Sequence, residues 1–122
     1  MTTTNLSIDV PDLEEGVRFY SAVFNWKELS RPFPTMAVMD GHNLTVCIHQ
    51  KLKDTRPTPS DAVRGYERHW TPVHLDIHVD DFDEAVRRAK EAGAVVEQSF
   101  SKPKPVAFCS DPFGHGFCLI SR

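Results

Sequence analysis

The chain has 122 residues, of which 40% are apolar and 25% charged, with a formal net charge of −3. That length suits one domain with a buried core and is too short for two independent ones. Mild acidity without a basic stripe argues against a nucleic-acid partner, and no apolar run approaches the roughly 20 residues of a membrane helix.

The opening Met-Thr-Thr-Thr-Asn has no charged segment followed by an apolar one, so no signal peptide and a cytoplasmic location are expected. Cys47, Cys109 and Cys118 lack C-x-x-C spacing and are expected as free thiols.

The elements follow in chain order. Residues 5–10 alternate Asn, Leu, Ser, Ile, Asp, Val. This period of two predicts a strand with Leu6, Ile8 and Val10 on a core face and Asn5, Ser7 and Asp9 on a polar one. Asp12 with Glu15 forms a capping-box-like pair, and Leu13, Val17, Tyr20 and Phe24 recur at helical spacing, which predicts a helix. Three short strands are expected next, over Trp26–Ser30, Met36–Met39 and Leu44–His49. Residues 51–72, rich in Lys, Arg, Asp, Thr and Pro, show no periodicity and read as an exposed or partner-covered linker.

Residues 74–79 then restart the pattern as His, Leu, Asp, Ile, His, Val. Asp81 and Glu84 repeat the cap, Phe82, Val86 and Ala89 form the helical stripe, and Gly93 stands where a helix stops. Strands are expected over Val95–Phe100, Val106–Ser110 and Gly116–Ile120, with Asp111-Pro112-Phe113-Gly114 as a turn.

This restart is a repeat. Residues 5–18 align without a gap on residues 74–87, and Leu6/Leu75, Ile8/Ile77, Val10/Val79, Asp12/Asp81, Glu15/Glu84, Val17/Val86 and Arg18/Arg87 are identical. Gly41-His42 echoes Gly114-His115 further on. The expected fold class is therefore α+β: two tandem βαβββ modules, about 4–50 and 73–122, forming a half-open cup-shaped mixed sheet with helices on the outer face. The whole of 1–122 is expected to act as one domain.

The polar strand faces would line the cup, as a ligand site requires. His74, Asp76 and His78 lie on one face, but their outer members are about 7 Å apart along the strand. All three cannot chelate one ion, so at most one or two join groups from other strands. His49 shares its parity with Thr45 and Cys47 and is expected to face the cup. Cys118 is opposite in parity to Phe117 and Leu119, Phe108 offers an apolar wall, and His69-Trp70 could form a rim. His115 is expected to be exposed. No nucleophile elbow, P-loop, dinucleotide fingerprint or paired-cysteine zinc motif is present.

The runs IDVPDLEEGVRFYSAVFNW, HLDIHVDDFDEAVRRAKEAGA and FCSDPFGHGFCLI resemble the vicinal oxygen chelate superfamily, which includes glyoxalase I, bleomycin-resistance proteins, fosfomycin-resistance enzymes and extradiol dioxygenases. The resemblance covers nearly the whole chain, the linker least. It implies a cup usually completed in a homodimer, with a divalent ion held by residues of the first and last strands of each module. That ion would bind two substrate oxygens and stabilise an oxyanion.

Position by position, the resemblance puts Asn5, Thr45, His74 and Cys118 at the ligand positions. His74 fits the family pattern. Cys118 stands where its enzymes usually have Glu, Thr45 is neither Glu nor His, and Asn5 is not the usual His or Gln. Such a set supplies little charge for a hard ion.

The expected function is binding of a small molecule in the cup without the usual full metal site, in the manner of bleomycin-resistance proteins. Asn5, Ser7, Asp9, Thr45, His49, Asp76, His78, Phe108 and Cys118 are its expected ligand contacts. Phe108 and Trp70 would stack, and Asp9 and Asp76 would accept from a cationic group. The alternative is a metal-dependent, lyase-like enzyme using His74 with nonstandard partners. The expected cofactor is accordingly none or one divalent metal ion. Asp76 or His78 as the base of a metal-free enzyme is a third possibility.

Overall fold

In a computed structural model that describes residues 1–69 and 71–122, the chain divides into two compact units, Met1–Tyr66 and Glu67–Arg122. Trp70, expected as a stacking or rim residue, lies outside the described residues.

The first unit runs β1 (Asn5–Val10), α1 (Leu13–Phe24), β2 (Lys27–Phe33), β3 (Met36–Asp40) and β4 (Thr45–Gln50). The second runs β5 (Leu75–Val79), α2 (Phe82–Glu91), β6 (Val95–Phe100), β7 (Val106–Ser110) and β8 (Gly116–Ser121). Each unit forms one mixed four-stranded sheet, ordered β1-β4-β3-β2 and β5-β8-β7-β6. The first strand of each pairs in parallel with the last, and the remaining pairs are antiparallel. The tandem βαβββ pattern is therefore present.

The helices begin where the sequence places them. The Asp12 side chain accepts from the Glu15 backbone N–H at 3.0 Å, and Asp81 from that of Glu84 at 3.2 Å. Each cap satisfies one donor that a helix N-terminus leaves free. Gly93 ends α2 at φ +108°, with the next residue, Ala94, donating back to the Ala89 carbonyl at 2.9 Å. This αL position favours glycine.

α1 lies directly on its sheet. Gly16 is buried, and a Cβ there would stand 2.9 Å from Val10 Cγ2 and 3.2 Å from Ile48 Cγ2. The deep stripe of α1 includes Phe19 and Val23 as well as the expected Leu13, Tyr20 and Phe24, whereas Val17 is only half-buried. Trp26 precedes β2 instead of starting it, and stacks on Tyr20 with ring centroids 5.4 Å apart and planes 14° apart. Such pairs add about 0.5–1.5 kcal/mol beyond area burial.

The linker is more ordered than its composition suggests. It has no helix or strand among the described residues, yet the stretch to Tyr66 belongs to the first unit. Asp54 and Arg64 close a backbone turn, with the Asp54 N–H donating to the Arg64 carbonyl at 2.9 Å. The Tyr66 hydroxyl donates to the Lys51 carbonyl at 2.6 Å, and Arg64 Nε meets Asp9 Oδ2 at 2.7 Å. The stretch is mostly exposed, and these contacts fasten it to the first unit.

Candidate functional site

Register fixes which side chains share a sheet face, because residues directly opposite each other across a pair point the same way. In the second unit Asp76 lies opposite Cys118, and Cys118 lies opposite Phe108. In the first unit Ser7 lies opposite Cys47, and Cys47 opposite Val38. The structural counterpart of Cys118 is thus Cys47. The expected counterpart, Thr45, is opposite Asn5 and corresponds to Gly116. The Gly-His echo misaligned the last strands by two residues because the β3–β4 and β7–β8 turns differ in length and in where the Gly-His pair sits in each.

The second unit contains a hollow of about 180 Å³. His74 and Cys118 line one part of it, Phe108 and Phe117 give apolar surface, and Arg68 with Glu97 closes another side. His74 stands just before β5, not within it, and is exposed, as are Asp76 and His78. Phe108 is 38% exposed and packs edge-on against Phe100, with centroids 5.8 Å apart.

His74, Asp76 and Cys118 converge. His74 Nε2 is 3.1 Å from Asp76 Oδ1, and one donor atom from each of the three lies within 4.8 Å of the other two. His78 is not part of this cluster. Cys118 joins from the neighbouring strand, where it lies opposite Asp76. Burial, then the negative charge of Asp76 and a hydrogen bond to it, push the Cys118 thiol up to about 11. It is a neutral thiol at neutral pH, unsuited to act as a nucleophile by itself.

Arg68 and Glu97 form a two-pronged pair, Nε–Oε2 at 2.7 Å and Nη2–Oε1 at 2.9 Å. The hydrogen bonds from Arg68 are the main reason Glu97 sits below the usual carboxylate range. Arg68 also donates to the His69 carbonyl. Glu97 reaches the hollow because the β6–β7 ladder shifts there. Val96 opposes Cys109 and Gln98 opposes Phe108, which leaves Glu97 as an extra, bulged residue. Bulges re-aim side chains in this way. Sequence reasoning missed Arg68, Thr71 and Glu97. Arg68 and Thr71 lie in a stretch without periodicity, and the one-residue bulge that turns Glu97 carries no compositional signal.

Cys109 lines the same hollow and is likewise pushed up to about 11, chiefly by burial. The turn that presents β8 is held by Asp111, which is 5% exposed and accepts from the backbone N–H groups of Phe113 at 2.8 Å and His115 at 2.9 Å. His115, expected to be exposed, is half-buried.

The polar face of the first unit has a different character. Asn5, Ser7 and Thr45 are exposed, and His49 is half-buried opposite Asp9. Asp9, expected to accept from a ligand, is instead paired with Arg64, whose side chain is only 16% exposed. Burial first, and Asp9 second, raise the Tyr66 phenol beside it. The fastened linker thus occupies a carboxylate that the sequence left open.

The family model of the glyoxalase-like domain matches residues 5–120. The chain belongs to that family. It is similar in fold to the fosfomycin resistance protein FosX from Mesorhizobium loti, at 20% identity and a TM-score of 0.75 over 99% of this chain and 92% of that one. FosX from Listeria monocytogenes, complexed with Mn(II) and a sulfate ion, matches at 18% identity and a TM-score of 0.74 over 98% and 89% of the two chains. A glyoxalase/bleomycin resistance protein/dioxygenase family enzyme from Burkholderia phytofirmans matches at 19% identity and a TM-score of 0.74, over 96% and 95%. This glyoxalase-like chain thus has the vicinal oxygen chelate fold.

Its donors do not fit the ion of the Listeria relative. Mn(II) favours carboxylate, carbonyl and water oxygens. The cluster in this chain supplies one carboxylate, one imidazole and one thiol.

Proposed function

We propose that this glyoxalase-like protein binds a small organic molecule in the hollow of its second unit, without hard-cation chemistry. The observation that carries the reading is the hollow itself, which the exposed Phe108 lines together with His74, Arg68 and Glu97. Ligand sites typically combine apolar walls with a few fixed polar groups. His74 offers a donor or acceptor. Arg68 keeps guanidinium hydrogens beyond those used by Glu97 and His69, so it can donate to an acceptor on the ligand. About 180 Å³ accommodates a single substituted ring.

Asp76 and Cys118 border the bound molecule in this reading, and His78 lies further along the strand. Asn5, Ser7, Thr45 and His49 belong to the first unit and remain proposed contacts. Asp9 is a weaker one because of Arg64.

The test is a titration with benzoate, benzamidine and phenol, one anionic, one cationic and one neutral ring. Backbone NMR shifts would follow binding. Saturable shifts centred on Phe108, Phe117 and His74 for at least one probe, lost in Phe108→Ala, are expected. No localised shift with any of the three would overturn the proposal.

The chain is further proposed to act as a homodimer. Strands β2 and β6 end their sheets, and they leave Leu29, Phe33, Val95 and Phe100 exposed. Unpaired apolar edges invite association. Sedimentation at micromolar concentration should give twice the chain mass, and a monomer would refute this. No helix is long and apolar enough to cross a membrane among the described residues, and a cytoplasmic location, which suits three free thiols, is proposed.

A further inference from the structure

Asp9, Asp76 and Glu97 are each engaged by a donor of this chain. Asp9 holds Arg64 Nε at 2.7 Å. Asp76 faces His74 Nε2 at 3.1 Å and accepts from the Cys118 thiol. Glu97 holds Arg68 with both of its oxygens. The carboxylates that would have received a cationic ligand thus already have partners.

Arg68 is in the opposite position. A guanidinium has five N–H groups and no acceptor. Glu97 takes two of them, at Nε and Nη2, and the His69 carbonyl takes one, at Nη1. One N–H on each Nη nitrogen is left over, and Arg68 lines the hollow. Two features hold it there. Glu97 grips one edge of the planar group, and Gly116 beneath it has no side chain, where an added Cβ would stand 3.0 Å from Nη2 and 3.3 Å from Nη1. A fork already held in place loses little freedom on taking a further partner.

We infer that the hollow selects a ring carrying a carboxylate, and that Arg68 decides the charge it accepts. This rests on the small-molecule reading and narrows it to one charge class. The carboxylate accepts from the two remaining Arg68 N–H groups, and the ring lies against Phe108 and Phe117, the aromatic part of the lining. A cationic ring meets Arg68 as a like charge and finds Glu97 taken, so discrimination comes from repulsion as well as attraction. A neutral amide can accept from Arg68, but without the strength of a bond in which both partners are charged.

The experiment is an NMR shift titration of the full-length protein at neutral pH with benzoate, benzamide and benzamidine, one ring with three head groups. Benzoate is expected to bind about tenfold tighter than benzamide, with benzamidine weakest. In Arg68→Met, with native circular dichroism, Glu97 loses its partner, so benzoate should lose its advantage and benzamidine should become the tightest of the three. In Arg68→Met/Glu97→Gln both charges are gone, and no head group should be preferred. This double variant leaves no charge unpaired, so it decides the matter if Arg68→Met does not fold. Benzoate binding no tighter than benzamide or benzamidine would overturn the inference and leave the small-molecule reading standing. A benzoate preference that survives in folded Arg68→Met or in the double variant would do the same. Failure of all three rings to bind would overturn both.

Discussion

Arg68 binds Glu97 through two hydrogen bonds directly above Gly116, where an added Cβ would stand 3.0 Å from Arg68 Nη2 and 3.3 Å from Cζ. The pair is partly exposed, at 41% and 33%, so its coupling is expected to be about 0.5–1 kcal/mol. A double-mutant cycle of Arg68→Ala and Glu97→Ala, read by urea unfolding, checks it. Gly116→Ala should push the guanidinium aside, lowering stability in the native background more than in Arg68→Ala. Equal losses in the two backgrounds would separate Gly116 from the pair.

The same pair predicts a pH dependence. Glu97 is held below its ordinary value of 4.5, mainly by hydrogen bonds from Arg68. A carboxylate with a depressed folded-state value contributes stability that is fully present above its unfolded value and lost as pH falls through the folded one. The stability difference between the native protein and Arg68→Met should hold from pH 7 down to about 4.5 and shrink below that. A difference that persists unchanged at acid pH would contradict this.

Gly16→Ala sets two effects against each other. Helix propensity favours Ala by about 0.8–1 kcal/mol. A new methyl would meet Val10 and Ile48 at 2.9 and 3.2 Å, and both are fully buried. Overpacking of this kind costs about 1–3 kcal/mol, so a net loss of up to about 2 kcal/mol is expected on denaturant titration.

Asp111→Ala removes the acceptor for two backbone N–H groups in the β7–β8 turn. Hydrogen bonds to a charged group contribute about 1.5–3 kcal/mol, so a loss of about 2–3 kcal/mol is expected. Because the turn sets where β8 begins, NMR shifts should also move at Gly116–Cys118. Shifts confined to the turn would show that β8 holds its position alone.

The three cysteines are all free and buried. A thiol reagent at neutral pH should therefore find no fast-reacting group in the folded chain and all three in denaturant. A single fast thiol would reveal local opening of the strand that carries it.

Much of this was legible in the sequence. Alternation in Asn5–Val10 and its return after His74 placed both parallel first strands within a residue, and the Asp12 and Asp81 caps placed both helix starts. Those signals are local, since strand alternation and helix capping act over a few residues. The site was only partly legible. His74 and Cys118 were expected in it, and the two of the three His-x-Asp-x-His members that come together with Cys118 are His74 and Asp76.

The sequence by itself determined the tandem βαβββ pattern, the core faces and the polar character of the opposite faces, because these follow from periodicities of two and 3.6 residues. Only the tertiary structure decided that Cys47, not Thr45, is the partner position of Cys118, because that depends on inter-strand register and turn length. It also decided that Asp76 joins His74 and Cys118, that a bulge turns Glu97 towards Arg68, and that Arg64 closes over Asp9. Each of these depends on residues far apart in the chain, and no local pattern records a distance between two strands.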